Sequence, residues 1–143
     1  MTLIELSNRQ RLRKLNSQEW RGFAERALQA IDSTKQSVTI VFVSNAAIKK
    51  LNKQFRGKNY ATDVLSFPTQ AEDFETDNQS HLGEVVISVE RAAAQAKENG
   101  LTFSNEVEQL ILHGLLHLSG YDHETDHGEM NRLELKLRKK LGI

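Results

Sequence analysis

The sequence predicts a single α+β domain: a small mixed four-stranded sheet packed with about five helices, with a metal site on a central helix. Three observations carry this expectation. Four short apolar or β-branched runs are interleaved with segments of helical periodicity. The 143 residues suffice to bury one core without covalent staples. The most hydrophobic helical segment holds two histidines, His113 and His117, at a spacing that puts both on one helix face. No internal repeat or linker divides the chain, so the expected domain is 1–143.

Residues 3–6 (Leu-Ile-Glu-Leu) are the first strand candidate, followed by a polar, basic stretch over 7–16. Ser17 is the expected N-cap of a helix over 17–32, with Glu19 in its first turn. Trp20, Phe23, Ala24, Ala27, Leu28 and Ile31 recur there at helical spacing. Residues 37–44 (Ser-Val-Thr-Ile-Val-Phe-Val-Ser) give the strongest strand signal. A helix over 45–55 follows, with Ile48, Leu51, Asn52 and Phe55 on one face. Lys49, Lys50 and Lys53 face solvent, and Gly57 caps the end.

Val64, Leu65 and Phe67 mark a strand within 62–68, stopped by the only proline, Pro68. Residues 69–80 read as an acidic loop. Residues 82–88 form the last strand, with Gly83 as a bulge. An alanine-rich helix over 89–99 closes at Gly100, and Ser104 caps the next, which carries His113 and His117. Residues 124–141 are amphipathic through Met130, Leu133, Leu137 and Leu141.

Composition narrows the chemistry. The chain has no cysteine, which excludes disulfides and thiolate-bound zinc. No apolar run approaches the roughly 18 residues of a membrane span. The N-terminus lacks a signal peptide's apolar core, so a cytoplasmic protein with no membrane contact is expected. Net charge is zero, yet the charges are segregated. Residues 33–62 hold no acid but six cations: Lys35, Lys49, Lys50, Lys53, Arg56 and Lys58. Residues 59–90 hold seven acids and no cation. Such blocks are either ordinary solvated faces or, for the basic one, a local phosphate-binding strip.

The stretch that carries chemistry is His113-Gly114-Leu115-Leu116-His117-Leu118-Ser119-Gly120-Tyr121-Asp122-His123. A lone histidine on an apolar helix is usually a hydrogen-bonded core residue. Here two share a helix face, and Gly120 can turn the chain so that His123 joins them. Three imidazoles with an open position are typical of catalytic zinc, although nickel, copper or cobalt suit the same set. H-x-x-x-H-x-x-G-x-x-H is the metzincin spacing with one change. The glutamate that serves those peptidases as general base is replaced by Gly114. A bound metal still lowers the pKa of its water to about 7. Peptide hydrolysis also needs a carboxylate to carry a proton to the leaving amine. A phosphodiester has a better leaving group, and cations stabilise its charge. Metal plus cation without the glutamate therefore points to phosphoryl-oxygen chemistry, with Asp122, Asp63 or Glu84 as replacement carboxylates.

The histidine run resembles the metal signature of the YbeY family of bacterial endoribonucleases. Asn52-Lys53-Gln54-Phe55-Arg56-Gly57-Lys58, then Thr62-Asp63-Val64-Leu65-Ser66-Phe67-Pro68, is similar to that family's N-x-x-F-R-x-K and T-D-V-L-S-F-P blocks. Leu82-Gly83-Glu84-Val85-Val86-Ile87-Ser88 resembles a third block, and all come in the family's order. The resemblance implies one zinc ion on His113, His117 and His123. It also implies a single-strand-specific endoribonuclease acting in small-subunit (16S) ribosomal RNA maturation and ribosome quality control, with RNA, the ribosome or ribosomal proteins as partners. The family's important arginine carries over to Arg56, so Arg56 and His117 are the expected catalytic residues. The fork of Arg56 at a helix end can reach a phosphate in two places, with Lys53 and Lys58 beside it as substrate contacts. Asp63 and Asp122 are expected to support the site from behind; Asp63 reads equally well as a turn aspartate. Tyr60, Tyr121 and Phe67 could stack on bases, with packing as the plainer role. His81, in the acidic loop, is an expected bystander; His127 could serve as a fourth ligand, but four residues past His123 and on a new helix it is expected to face solvent. Two other readings stay open: a non-catalytic ribosome-associated module with a structural zinc, and a metzincin-like metallopeptidase.

Overall fold

The computed structural model describes residues 3–31, 37–69, 81–122 and 126–143. Strand β2 (Ser37–Val43) is the middle of the fold. It pairs in parallel with β1 (Leu3–Asn8) on one side and with β4 (His81–Ser88) on the other. Strand β3 (Val64–Pro68) closes the far edge antiparallel to β4, giving the order β1-β2-β4-β3. The sheet is therefore mixed, as predicted. A parallel central strand is covered on both faces, which is why β2 reads as an almost unbroken apolar run.

The two faces differ. Val38, Ile40, Phe42, Val85 and Ile87 point into the main core. There they meet helix α1 (Arg21–Ala30) and the long helix α4 (Phe103–Leu118). Val41, Val43, Leu65 and Val86 point the other way, where Ile48 of helix α2 (Asn45–Arg56) covers them. Alternate side chains of one strand thus feed two separate clusters. Helices α3 (Val89–Asn99) and α5 (Glu129–Leu141) pack against α4, which makes α4 the central helix. No described helix is long and apolar enough to cross a membrane.

Several boundaries differ from the expected ones. The helix expected over 17–32 begins as a 3-10 turn, Ser17–Trp20, and Ser17 is not its cap. Trp20 is buried and its indole donates to the Ser104 carbonyl at 3.3 Å, so a tertiary contact sets this turn. Thr102, not Ser104, caps α4: its hydroxyl accepts from the Asn105 amide at 3.1 Å. The last helix starts at Glu129 rather than 124. Asp126 captures the Gly128 and Met130 amides, and Gly128 sits at φ +97°, outside helical space. Residue 124 and most of the acidic loop lie outside the described residues. His81 is not in that loop; it opens β4, with Nδ1 2.7 Å from Ser37 Oγ. The bulge expected at Gly83 is present: pairing passes from Ser37–His81 to Val38–Gly83 and skips Leu82. Gly83 has φ +146°, and a Cβ there would run into the Phe67 carbonyl.

One titrating group reports on the packing. Burial pushes the Glu108 carboxyl above its ordinary value; Arg26 draws it down and Glu19 pushes it up again. The folded chain then holds this proton more tightly than the unfolded chain, so stability falls as pH rises through that window. Glu108→Gln is expected to raise the melting temperature at pH 7 and leave it unchanged below about pH 4. A lower melting temperature at pH 7 contradicts this.

Candidate active site

Helix α4 presents His113 and His117 at the margin of an otherwise buried surface. Their rings meet edge to face, with centroids 4.8 Å apart at 73°. Between them, Gly114 faces the sheet. A Cβ at this position would stand 2.6 Å from Val85 Cγ1 and 3.3 Å from Ser66 Oγ. Ser66 also donates to the Gly114 carbonyl at 3.2 Å, which ties the helix to β3. The close approach of α4 to the sheet therefore demands glycine here. The position that is a general base in metzincins points in this fold at a buried valine.

The two histidines, Arg56, Asp63 and Asp122 line one cavity of about 590 Å³. Its walls are the end of α2, strand β3 and the C-terminal end of α4. Helix α2 ends at Arg56 because Gly57 takes the left-handed conformation, φ +69°, and its amide returns to the Asn52 and Lys53 carbonyls. Asn52 is buried, and its side-chain amide donates to the Tyr60 carbonyl at 2.9 Å, which pins the following loop to the helix. Lys53 and Lys58 are exposed but do not line the cavity. Asp63 behaves as a turn aspartate: Oδ1 accepts from the Val64 amide at 2.8 Å and the Thr62 hydroxyl at 3.3 Å.

The carboxylate that holds His113 is one that sequence reasoning did not single out. Glu134 on α5 places Oε1 2.8 Å from His113 Nδ1, and Arg138 Nη2 donates to its other oxygen. Burial pushes the Glu134 carboxyl up, but the hydrogen bond and charge of His113, with those of Arg138, hold it below its ordinary value. An ionised carboxylate only accepts, so Nδ1 of His113 donates to it, which leaves Nε2 as the ring nitrogen that can face a metal ion. That is the arrangement of a metal-ligating histidine backed by a carboxylate.

Among the described residues, no three His, Cys, Asp or Glu side chains are grouped to hold an ion. The chain turns at Gly120 as expected, φ +102°, with the Tyr121 amide returning to the Leu116 carbonyl at 3.1 Å, but the third expected ligand, His123, lies outside the described residues. Two imidazoles sharing one cavity, one with its Nδ1 engaged, fit a nitrogen-seeking ion such as zinc.

Residues 5–142 match the family described as Endoribonuclease YbeY. The chain belongs to the endoribonuclease YbeY family. A relative of that name from Nautilia profundicola is 46% identical over 110 residues, which cover 77% of this chain and 76% of the relative. Another YbeY, from Geobacter metallireducens, is 34% identical over 141 residues, covering 98% and 94% of the two chains. The solution structure of a Thermotoga maritima protein superposes with a TM-score of 0.63 at 29% identity, over 97% of this chain and 89% of its own. The relatives carry the name of a hydrolase acting on RNA, and this chain is a member of their enzyme family.

Proposed function

We propose that this chain is a zinc-dependent endoribonuclease that cuts single-stranded RNA. We further propose that its substrate is small-subunit ribosomal RNA, in maturation and in ribosome quality control, and that it works in the cytoplasm with the ribosome or ribosomal proteins as partners. The supporting observation is the shared cavity: Arg56 lines it together with His113 and His117. In this reading His113, His117 and His123 hold the ion through ring nitrogens. A bound zinc ion supplies Lewis acidity and brings the pKa of water down to about 7. Arg56 binds the scissile phosphate and offsets the charge that grows on its oxygens. Glu134 keeps His113 oriented with Nε2 toward the cavity. The peptidase reading loses further ground, because residue 114 packs on Val85 and no base can project from it.

The test is to titrate metal-free protein with zinc while following cleavage of an unstructured RNA. Cleavage should rise to a plateau at one zinc per chain and vanish with chelator. RNA left intact at every zinc level overturns the reading, and four filled protein positions by X-ray absorption point to a structural ion.

Glu134 gives a separate prediction. Glu134→Gln is expected to weaken zinc affinity about 10–100-fold, the usual cost of losing such a partner. Competition with a chromophoric chelator measures it. An unchanged affinity shows that Glu134 does not orient a ligand.

A further inference from the structure

Phe55 was expected on the buried face of α2, yet it is 59% exposed. It is the residue before Arg56, and both line the cavity that holds the two histidines. Its ring makes a T-shaped contact with Phe67, centroids 5.2 Å apart at 69°. Phe67 is itself half-buried against the second core cluster, so Phe55 rests on a fixed neighbour. Leaving so much of a phenylalanine ring in water forgoes part of its hydrophobic burial. Phe55 and Phe67 thus form an aromatic pair in the wall of the cavity that also holds Arg56 and the two histidines. Arg56 lines the same cavity, and Lys53 and Lys58 are exposed nearby in sequence, so the local charge favours a negatively charged partner.

We propose that Phe55, supported by Phe67, is a base-stacking subsite: it takes the face of one unpaired nucleobase while Arg56 takes a neighbouring phosphate. This rests on the proposed RNA-cleaving function and adds a source of its strand preference. A base inside a duplex is stacked on both faces and cannot lie on Phe55, whereas an unpaired base can be splayed out onto an aromatic ring.

The experiment measures binding of chelator-treated protein to a short single-stranded RNA and to a matched ribose-phosphate strand without bases. Phe55→Ala should bind the intact RNA roughly 5–100-fold more weakly, the range for stacking on an aromatic side chain, and the abasic strand as well as the unsubstituted protein does. Phe55→Trp should keep the affinity, and its fluorescence should be quenched by intact RNA alone, above the constant signal of buried Trp20. Equal weakening on both strands overturns the stacking subsite. Unchanged binding of intact RNA overturns it too and leaves the exposed ring to a protein contact. If the unsubstituted protein cleaves RNA while Phe55→Ala binds it normally, only the subsite falls. If the unsubstituted protein neither binds nor cleaves RNA, the proposed function falls with it. A thermal melt of each variant confirms folding, which substitution of an exposed ring leaves intact.

Discussion

Gly114→Ala is expected to lower the melting temperature by about 2–8 °C, against the usual effect of alanine in a helix. Alanine normally gains about 1 kcal/mol over glycine in a helix interior. Here the added methyl would sit 2.6 Å from Val85 Cγ1 and 3.0 Å from Cγ2. Val85 is fully buried on β4, which is paired on both sides by β2 and β3, so its backbone cannot retreat. Its β-branched side chain has few other rotamers. Overpacking of this kind costs about 1–3 kcal/mol, and the contact is close enough to put it at the upper end. The net loss is about 1–2 kcal/mol, which for a chain of this size is a few degrees. Gly114→Glu, which restores the metzincin residue, adds a buried carboxylate and should be worse. Val85→Ala removes the obstructing methyls, so the two substitutions together should cost less than their sum. A Gly114→Ala protein more stable than the parent would contradict the close approach of α4 to the sheet.

Arg56→Ala is expected to lower kcat/KM on single-stranded RNA by about 100–1000-fold, the usual loss when one charge-stabilising group is removed. Arg56 is exposed at the end of α2, so the melting temperature should move little. Arg56→Lys separates charge from geometry. Lysine keeps the charge but lacks the two-pronged fork, so it should recover only part of the rate. If Arg56 merely capped helix carbonyls, Arg56→Ala would cost stability and leave kcat/KM intact.

Most of the fold could be read from periodicity. β2 and β4 are near-continuous apolar runs because both their faces are covered. α3 was expected within its observed bounds, since Ser88 and Gly100 bracket it as caps. Where the reading failed, a distant contact had overridden a local signal. Ser104 has the right chemistry for a cap, but its carbonyl receives Trp20 and the cap falls to Thr102. Phe55 follows the spacing of Ile48 and Asn52, but α2 covers only a short strip of sheet, and its last turn overhangs the cavity.

The site was partly readable. The spacing of His113 and His117 announced a shared face, and the block around Arg56 lay far off in sequence; only the fold brings them to one cavity. Glu134 was missed because it is 21 residues from His113 and looks like a surface partner for Arg138. A signal was nonetheless present: Met130, Glu134 and Leu137 share one helical stripe, and a carboxylate among core positions needs a buried partner. Asp63 read equally as a supporting carboxylate or a turn aspartate; its Oδ1 serves the turn, and it also lines the cavity.

The measurement that bears most directly on the central claim is cleavage of one unstructured RNA by His117→Ala beside the unsubstituted protein, both supplied with excess zinc. If the histidine pair and Arg56 form one RNA-cleaving centre, His117→Ala leaves the RNA intact at enzyme levels where the parent degrades it fully. Cleavage at the parent rate by a folded His117→Ala protein would contradict the account.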